Sequence, residues 1–274
     1  MSLARRDLLV ALGGTAAGAL ATLGTEREVE AARDRVPLPF YGSAVSAVRP
    51  DQSRPSAAHG QVVWSGARDA GTKRLALTFD DGPDPAWTPR VLAALARHEV
   101  VATFFVRGDH LSAHPQVHAD SLAAGHELAD HSWDHPDLGR LTLAEVSNQL
   151  RRTDAAIEHL TGRRPTLMRP PYGHLTGSTV LAAAESGLTT VLWSTQVHED
   201  RFTSHPDGLV GAIRAEVAPG DILLAHDSGS ADRVITVDHL DAVLAGLRDD
   251  GYELVTVSQL LTASAGSSEV GRSS

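Results

Sequence analysis

The sequence contains no cysteine, which excludes disulfide bridges and every metal site built on thiolates. Any bound metal ion must therefore be held by histidine, aspartate or glutamate. The chain also lacks an excess of positive charge, since 24 Lys and Arg residues stand against 34 Asp and Glu residues, a formal net charge of −10. Without a basic patch to displace counterions, neither nucleic acid nor an anionic membrane surface is expected as a partner.

The chain also lacks internal repeats and low-complexity domains. Its 274 residues, 42% of them hydrophobic, are enough to bury one large core. We expect one domain over residues 72–262, a linker or surface arm over 25–71 and a disordered tail over 263–274. Within the arm, Gln61–Trp64 is a candidate short strand. The sequence does not indicate an oligomeric state.

Residues 1–24 indicate an export signal of the twin-arginine type. Arg5 and Arg6 precede an apolar stretch, Val10 to Leu23, that is rich in glycine and alanine. A membrane anchor is the competing interpretation, but the stretch is short for a span of about 20 residues. We favour cleavage after Ala21. The mature chain is then expected outside the cell or at the cell wall, without a stable membrane span.

Two adjacent carboxylates follow an apolar run. Leu75–Phe79 leads directly into Asp80 and Asp81, and Gly82 with Pro83 breaks the strand there. Consecutive side chains on an extended chain diverge, so one carboxylate can bind a metal while its neighbour handles a proton. The alternative is an ordinary turn, in which an aspartate side chain bonds the local backbone.

A pair of histidines, His131 and His135, has a spacing that places two imidazoles on one face of a helical turn. Because the chain holds 14 histidines, this pair alone is weak evidence. Two histidines and one carboxylate suit a catalytic zinc ion and equally a non-haem iron oxygenase. Five other histidines are expected on the surface or in loops and receive no role: His110, His126, His174, His198 and His205.

Further polar groups end two other apolar runs. Arg169 opens the segment Arg-Pro-Pro-Tyr-Gly, which includes Tyr172, and His226 follows Leu-Leu-Ala. With these segments the chain resembles the polysaccharide deacetylase family, the NodB-homology carbohydrate esterases, from about Lys73 to about Leu261. The family motifs T-F-D-D-G-P, H-S/T-x-x-H, R-x-P-Y and L-x-x-H all occur in order, which is far more specific than any one of them alone.

The resemblance implies a metal site. Asp81, His131 and His135 would bind the ion, usually zinc in this family, with Co²⁺ and Ni²⁺ as alternatives. It also implies the acid and base of the reaction. Asp80 would take a proton from metal-bound water as the water attacks the acetyl carbonyl, and His226 would protonate the leaving amine.

Two further roles follow from the resemblance. Arg169 would aim Asp80, and the backbone N–H of Tyr172 would join the metal in stabilising the oxyanion. The implied activity removes N-acetyl groups from an extracellular polysaccharide of N-acetylglucosamine type. Peptidoglycan is favoured over chitin because the chain carries a bacterial-style export signal.

Three alternatives are kept beside this function. An O-acetyl esterase acting on xylan would use the same metal site but would depend less on His226. An iron oxygenase would have no use for Asp80 together with His226. A glycan-binding protein with an impaired site is favoured only by an altered segment after Trp193.

The altered segment is where the chain departs from the family. The family carries a Trp-x-x-Asp-x-x-Asp-Trp-like stretch, whose second Asp supports the acid histidine. Here Gln196 replaces the first Asp. Glu199 takes the second position by ungapped spacing, and Asp200 fits only with a one-residue slip. Which of the two supports His226 stays open at this point.

Strand-like runs alternate with helical ones throughout the domain, and several helices are expected to stop at glycines: Gly125, Gly162, Gly187, Gly220 and Gly251. Such alternation indicates a parallel sheet, either open or closed into a barrel. Because site candidates follow the first, third, fourth and sixth strands, we predict a distorted (β/α) barrel with about seven strands and the site at their C-terminal ends. The resemblance implies the same fold. The predicted strands are Arg74–Phe79, Ala102–Val106, His126–Ala129, Thr166–Arg169, Thr189–Trp193, Asp221–Ala225 and Glu253–Thr256, and the helices include Pro89–His98, Leu143–Leu160 and Val234–Arg248.

Overall fold

The computed structural model describes residues 60–68 and 72–262. The expected export signal and tail, and residues 25–59 and 69–71 of the expected arm, lie outside the described residues. Within the described ranges, nine strands form one sheet in which every pair of neighbouring strands is parallel. They are β1 (Val62–Val63), β2 (Arg74–Asp80), β3 (Thr103–Val106), β4 (Glu127–Asp130), β5 (Leu167–Met168), β6 (Thr189–Val191), β7 (Thr195–Gln196), β8 (Ile222–His226) and β9 (Glu253–Val255).

The strand order is β1-β6-β5-β4-β3-β2-β8-β7, with β9 paired to β2. The sheet curls into a half-barrel, which confirms the predicted distorted (β/α) barrel. All seven predicted strands are present, and β1 lies within the candidate strand Gln61–Trp64. The short β7 was not predicted, because its two residues, Thr195 and Gln196, belong to no apolar run.

The segment after β1 connects two parts of the half-barrel. β1 pairs with β6, while Ser65 forms an antiparallel bridge with Asp221 just before β8. The N–H of Gly66 donates to the carbonyl of Gly220 at 2.7 Å. Residues 62–66 therefore belong to the sheet, although they precede the domain boundary expected at residue 72.

Six helices flank the sheet in the described part of the chain. The longest shows how local sequence sets its ends. Thr142 accepts from the N–H of Glu145, whose carboxylate accepts from the N–H of Thr142, forming a capping box, and Gly162 ends the helix with φ 69°. No described helix combines the length and apolar character needed to cross a membrane. The helices are α1 (Thr88–Arg97), α2 (Gly108–Ala113), α3 (Leu143–Thr161), α4 (Gly177–Glu185), α5 (Leu209–Glu216) and α6 (Val234–Asp249).

Strand β2 divides its side chains between two environments. Leu75, Leu77 and Phe79 join the large hydrophobic cluster formed with α1 and α6, whereas Ala76 belongs to a separate cluster within the half-barrel. Alternation along a strand puts residues 78 and 80 on the same side as Ala76. These two residues are Thr78 and the buried Asp80, and a buried polar group must find a partner inside the protein.

Candidate active site

The two adjacent carboxylates lie at the C-terminal end of β2, which is the central strand of the site. Both are buried, with 3% of Asp80 and 9% of Asp81 exposed. Asp81 follows the strand with φ 76°, a left-handed backbone conformation. The turn sends the two carboxylates to different neighbours, as the sequence predicts.

Asp80 is held by a fully buried arginine. Arg169 donates from Nη1 to Oδ1 of Asp80 at 2.6 Å and to Oγ1 of Thr78 at 2.9 Å. Its Nη2 and Nε donate to the backbone carbonyls of Leu192 and Val191 at 3.1 and 3.3 Å. Burial lowers the pKa of Arg169, and the Asp80 carboxylate opposes that effect. This set of bonds fixes one oxygen of Asp80 and leaves Oδ2 facing the rest of the site.

Asp81 faces the two predicted imidazole ligands. Its Oδ1 lies 3.1 Å from Nε2 of His135 and 3.5 Å from Nε2 of His131. The three ligand atoms lie within 4.8 Å of one another, and Oδ1 is buried without a hydrogen-bond partner. A buried, unpartnered carboxylate oxygen between two imidazole nitrogens fits a divalent cation, and this donor set suits zinc with open coordination positions.

Backbone contacts orient the two histidines. Nδ1 of His131 donates to the carbonyl of Arg169 at 2.8 Å, so its Nε2 points toward Asp81. The N–H of His135 donates to Oγ of Ser132 at 3.1 Å, and the N–H of Ser132 donates to Asp130 at 2.6 Å. The Arg169 carbonyl therefore orients the ring of His131, and the loop after β4 fixes the backbone of His135.

The charges of this cluster reinforce one another. Burial raises the pKa of Asp81, but the close imidazoles of His131 and His135 outweigh it and hold that pKa well below its usual range. Burial lowers the pKa of His131, but the carboxylates of Asp80 and Asp81 outweigh it and raise the pKa above its ordinary value. Asp81 and His131 therefore stabilise each other's charged forms.

His226 ends β8 and pairs in register with Asp80 across β2 and β8. Its Nδ1 lies 3.7 Å from Oε1 of Glu199, which also accepts from Oγ1 of Thr236 at 3.2 Å. Glu199 is buried, whereas Asp200 is exposed. The carboxylate beside His226 is therefore the one that ungapped spacing favours.

Tyr172 lies at the edge of the cluster in the short 3₁₀ helix Pro171–Gly173. Its φ is 61°, and the residue is 60% exposed. The centre of its ring lies 4.8 Å from that of His135. All seven predicted site residues thus gather at the C-terminal ends of β2, β4, β5 and β8.

One contact in the cluster was not predicted. Nη1 of Arg233 donates to Oδ2 of Asp81 at 2.6 Å. Arg233 lies in the loop between β8 and α6, where no motif spacing marks it. Only the position of this loop after the strand that carries His226 could have drawn attention to it.

Asp227 directly follows the L-x-x-H motif, and no role is predicted for it from the sequence. It is fully buried, and Oγ1 of Thr88 donates to its Oδ2 at 2.6 Å. A Cβ at Gly82 would lie 2.4 Å from Oδ1 of Asp227, so only glycine allows this approach. Burial raises the pKa of Asp227 to about 7, against a smaller opposing effect from the Thr88 hydrogen bond. Asp227 packs directly behind the turn that carries the two catalytic candidates.

A second group of buried histidines lies away from the cluster, and we call His118 and His126 the rear pair. His126 lies in the loop just before β4, as one of the two expected positions, but a surface position is wrong because the residue is only 6% exposed. Both rings pack edge-on or nearly so against Phe104, at 4.9 and 5.6 Å between ring centres. Nδ1 of His126 accepts from the N–H of Ala102 at 3.2 Å, and Nδ1 of His118 lies 2.8 Å from Oγ of Ser121. These histidines are part of the packing around β3.

Comparisons with known proteins agree with this geometry. Residues 67–191 match the family model for polysaccharide deacetylase. A peptidoglycan-N-acetylglucosamine deacetylase of Listeria monocytogenes is 40% identical over 189 residues, which make up 69% of this chain but only 39% of that protein. A chitooligosaccharide deacetylase of Bradyrhizobium sp. is 36% identical over 204 residues, covering 70% of this chain and 92% of the relative. The crystal structure of the Bc1960 peptidoglycan N-acetylglucosamine deacetylase matches with a TM-score of 0.69 at 30% identity, covering 73% of this chain and 92% of that chain.

Proposed function

The chain belongs to the polysaccharide deacetylase family, and from that membership we propose that it is a metal-dependent hydrolase that removes N-acetyl groups from an extracellular polysaccharide. The observation that carries the proposal is that the two adjacent aspartates at the end of β2 have different partners. Arg169 holds one oxygen of Asp80, while Asp81 faces two imidazoles. Peptidoglycan is the first substrate proposed, because the Listeria relative and the Bc1960 protein are both named for it.

Asp81, His131 and His135 would hold the cation, with zinc as the first choice. When bound, such a cation supplies a Lewis acid that polarises the acetyl carbonyl and lowers the pKa of water. Asp80 lies beside this ligand set and is not counted in it. Its Oδ2 is 3.7 Å from Nε2 of His131, which suits a task separate from that of Asp81.

Asp80 is proposed as the general base. Its Oδ1 is fixed by Arg169, so Oδ2 remains to accept a proton from water that attacks the acetyl carbon. A positioned general base contributes roughly 10²–10⁴-fold to the rate. The buried guanidinium keeps this carboxylate aimed without blocking both of its oxygens.

His226 is proposed as the general acid. Its register with Asp80 puts the proposed acid and the proposed base on neighbouring strand ends. An amine is a poor leaving group until it acquires a proton, which His226 would give to the nitrogen of the breaking C–N bond. Glu199 lies at the Nδ1 side of the ring, which leaves Nε2 for the substrate. The N–H of Tyr172 would donate to the oxyanion, a contribution of about 2.7–4 kcal/mol for a well-placed donor.

Export to the cell wall is proposed together with this activity. The support is the paired arginines and apolar stretch of residues 1–24 and the cell-wall substrate in the relatives' names.

The test is acetate release from N-acetyl-chitooligosaccharides, peptidoglycan and acetylated xylan, using metal-stripped, zinc-reconstituted and Asp80→Asn protein. We expect zinc to restore release from the N-acetylated polymers and Asp80→Asn to abolish it. Release from xylan alone, surviving His226→Ala, would instead show an O-acetyl esterase. Zinc-loaded protein that releases no acetate would contradict the proposal and favour a binding role.

A further inference from the structure

Each of the two adjacent carboxylates is held by an arginine from a different part of the chain. Arg169, which follows β5, donates to Oδ1 of Asp80 at 2.6 Å. Arg233, which precedes α6, donates to Oδ2 of Asp81 at 2.6 Å. The proposed reaction gives the first arginine a task and leaves the second without one.

The two oxygens of Asp81 have different surroundings. Oδ2 accepts a charge-assisted hydrogen bond from Arg233, whereas Oδ1 is buried, has no hydrogen-bond partner and faces the Nε2 atoms of His131 and His135. A free carboxylate can bind a cation through one oxygen or through both. With one oxygen engaged by a guanidinium, Asp81 offers only the other to a cation.

The fold provides a defined place for the Arg233 side chain. Arg233 ends the short 3₁₀ helix Ala231–Arg233 and immediately precedes α6. A Cβ at Gly229 would lie 2.7 Å from Nη1 and 3.1 Å from Cδ of Arg233, so the glycine leaves room for the guanidinium. The Arg233 side chain is 29% exposed and that of Asp81 is 12% exposed, which puts the arginine toward the solvent side of the carboxylate.

We propose that Arg233 is a positioning residue that restricts Asp81 to a single ligand oxygen, Oδ1. A catalytic zinc site needs coordination positions that the protein does not fill. By occupying Oδ2, Arg233 keeps one such position available to water and the acetyl group. This inference rests on the proposed function, because it takes Asp81 as a ligand of the cation.

The experiment compares the zinc-loaded parent protein with Arg233→Met and Arg233→Lys. Methionine keeps a long side chain over Gly229 but removes the donors and the charge, and lysine restores a cation. Arg97→Met is the matched control, since Arg97 also pairs with an aspartate, through two bonds to Asp241, and has no part in the site. Zinc content, the number of oxygen neighbours of zinc by X-ray absorption, the Co²⁺ absorption spectrum, kcat and KM are measured for each protein.

We expect Asp81 to bind through one oxygen in the parent and through both in Arg233→Met, with one more oxygen neighbour and weaker Co²⁺ absorption. The filled position should lower kcat by about 10–100-fold, the usual effect of losing an outer-shell partner, with little change in KM. Arg233→Lys should return the zinc coordination and kcat toward the values of the parent, and Arg97→Met should match the parent in both.

Two results would overturn the inference while the proposed function stands. One is a zinc-loaded methionine variant with the coordination and kcat of the parent. The other is a methionine variant that no longer binds zinc, because a role in restricting one ligand predicts that the ligand set still binds. A parent protein that neither binds zinc nor releases acetate would instead remove the proposed function on which the inference rests.

Discussion

His131 of the active site and His118 of the rear pair are buried alike but differ in their charge surroundings. His131 is 2% exposed and His118 is 1% exposed. Burial lowers the pKa of both rings. At His131 the neighbouring aspartates outweigh burial and raise the pKa, whereas at His118 burial dominates, with a further lowering from His126, and the pKa falls to about 3. Burial alone therefore yields a neutral packing residue, and nearby carboxylates turn the same residue into a candidate ligand.

The largest expected effect is the loss of zinc binding when a ligand histidine is removed. His131→Ala should abolish zinc binding in equilibrium dialysis, because two protein ligands would remain where three converge. His118→Ala, which removes an equally buried ring, should still bind zinc in stoichiometric amount. Zinc binding that survives His131→Ala, or that is lost in folded His118→Ala, would show that the ligand set is wrong.

The second prediction concerns the positive charge that makes buried carboxylates tolerable. Arg169→Met should destabilise the metal-free fold by about 3–5 kcal/mol, because it leaves Asp80 buried without its partner. Chemical denaturation measures the loss. Arg97→Met removes an ion pair whose side chains are 56% and 54% exposed, and should destabilise the fold far less, because solvent screens an exposed pair. Adding Asp80→Asn to Arg169→Met should recover stability, and equal losses in the two single variants would contradict the explanation.

The third prediction concerns how the buried His118 makes the stability of the fold depend on pH. The folded pKa of His118, about 3, lies below the ordinary 6.5, so the unfolded chain binds more protons between these values. The stability contributed by neutral His118 is fully present above pH 6.5 and is lost as pH falls toward about 3, by at most about 1.4 kcal/mol per pH unit. His118→Gln should flatten this dependence in denaturation curves across the window. The exposed-histidine control, His205→Gln, should keep the slope of the parent.

The smallest expected effect concerns His226, which lies between the two extremes with one carboxylate at 3.7 Å from Nδ1. Glu199→Gln should lower kcat by roughly tenfold, at the low end for a residue that orients another. Asp200→Asn, one residue along and exposed, should leave kcat unchanged. A larger effect from Asp200→Asn would show that Asp200, and not Glu199, supports His226.

Much of the fold was predictable because backbone chemistry is local. The apolar runs predicted seven strands that the structure contains, and the glycines expected to end helices, such as Gly162 and Gly251, adopt positive φ. The two-residue strand β7 carries no apolar run, and its pairing with β8 depends on the curvature of the whole sheet. His126 was misplaced because its sequence neighbours do not reveal the packing of its ring against Phe104.

The site was predictable where motifs end strands and unpredictable where a distant loop returns. Asp80 and His226 end strands that apolar runs predict, and Asp81 follows the first of these strands directly. The contact from Arg233 to Asp81 joins residues 152 positions apart. It depends on the path of a loop, and no motif spacing in the sequence predicts that path. Spacing distinguished Glu199 from Asp200 only as a preference, and the burial of one and exposure of the other show which lies beside the histidine.

The pairing of β2 with β8 determines when the site can assemble during synthesis. Thr78 donates to the carbonyl of Leu223 across 145 positions of the chain, and Asp80 meets His226 through the same pairing. Contacts between distant segments form slowly, and those within parallel sheets are among the slowest. A chain interrupted before residue 222 would already carry Asp81 and both histidine ligands, yet it would lack the strand that brings acid and base together. A ribosome-bound precursor that ends before β8 would therefore lack the strand pairing on which the proposed reaction depends.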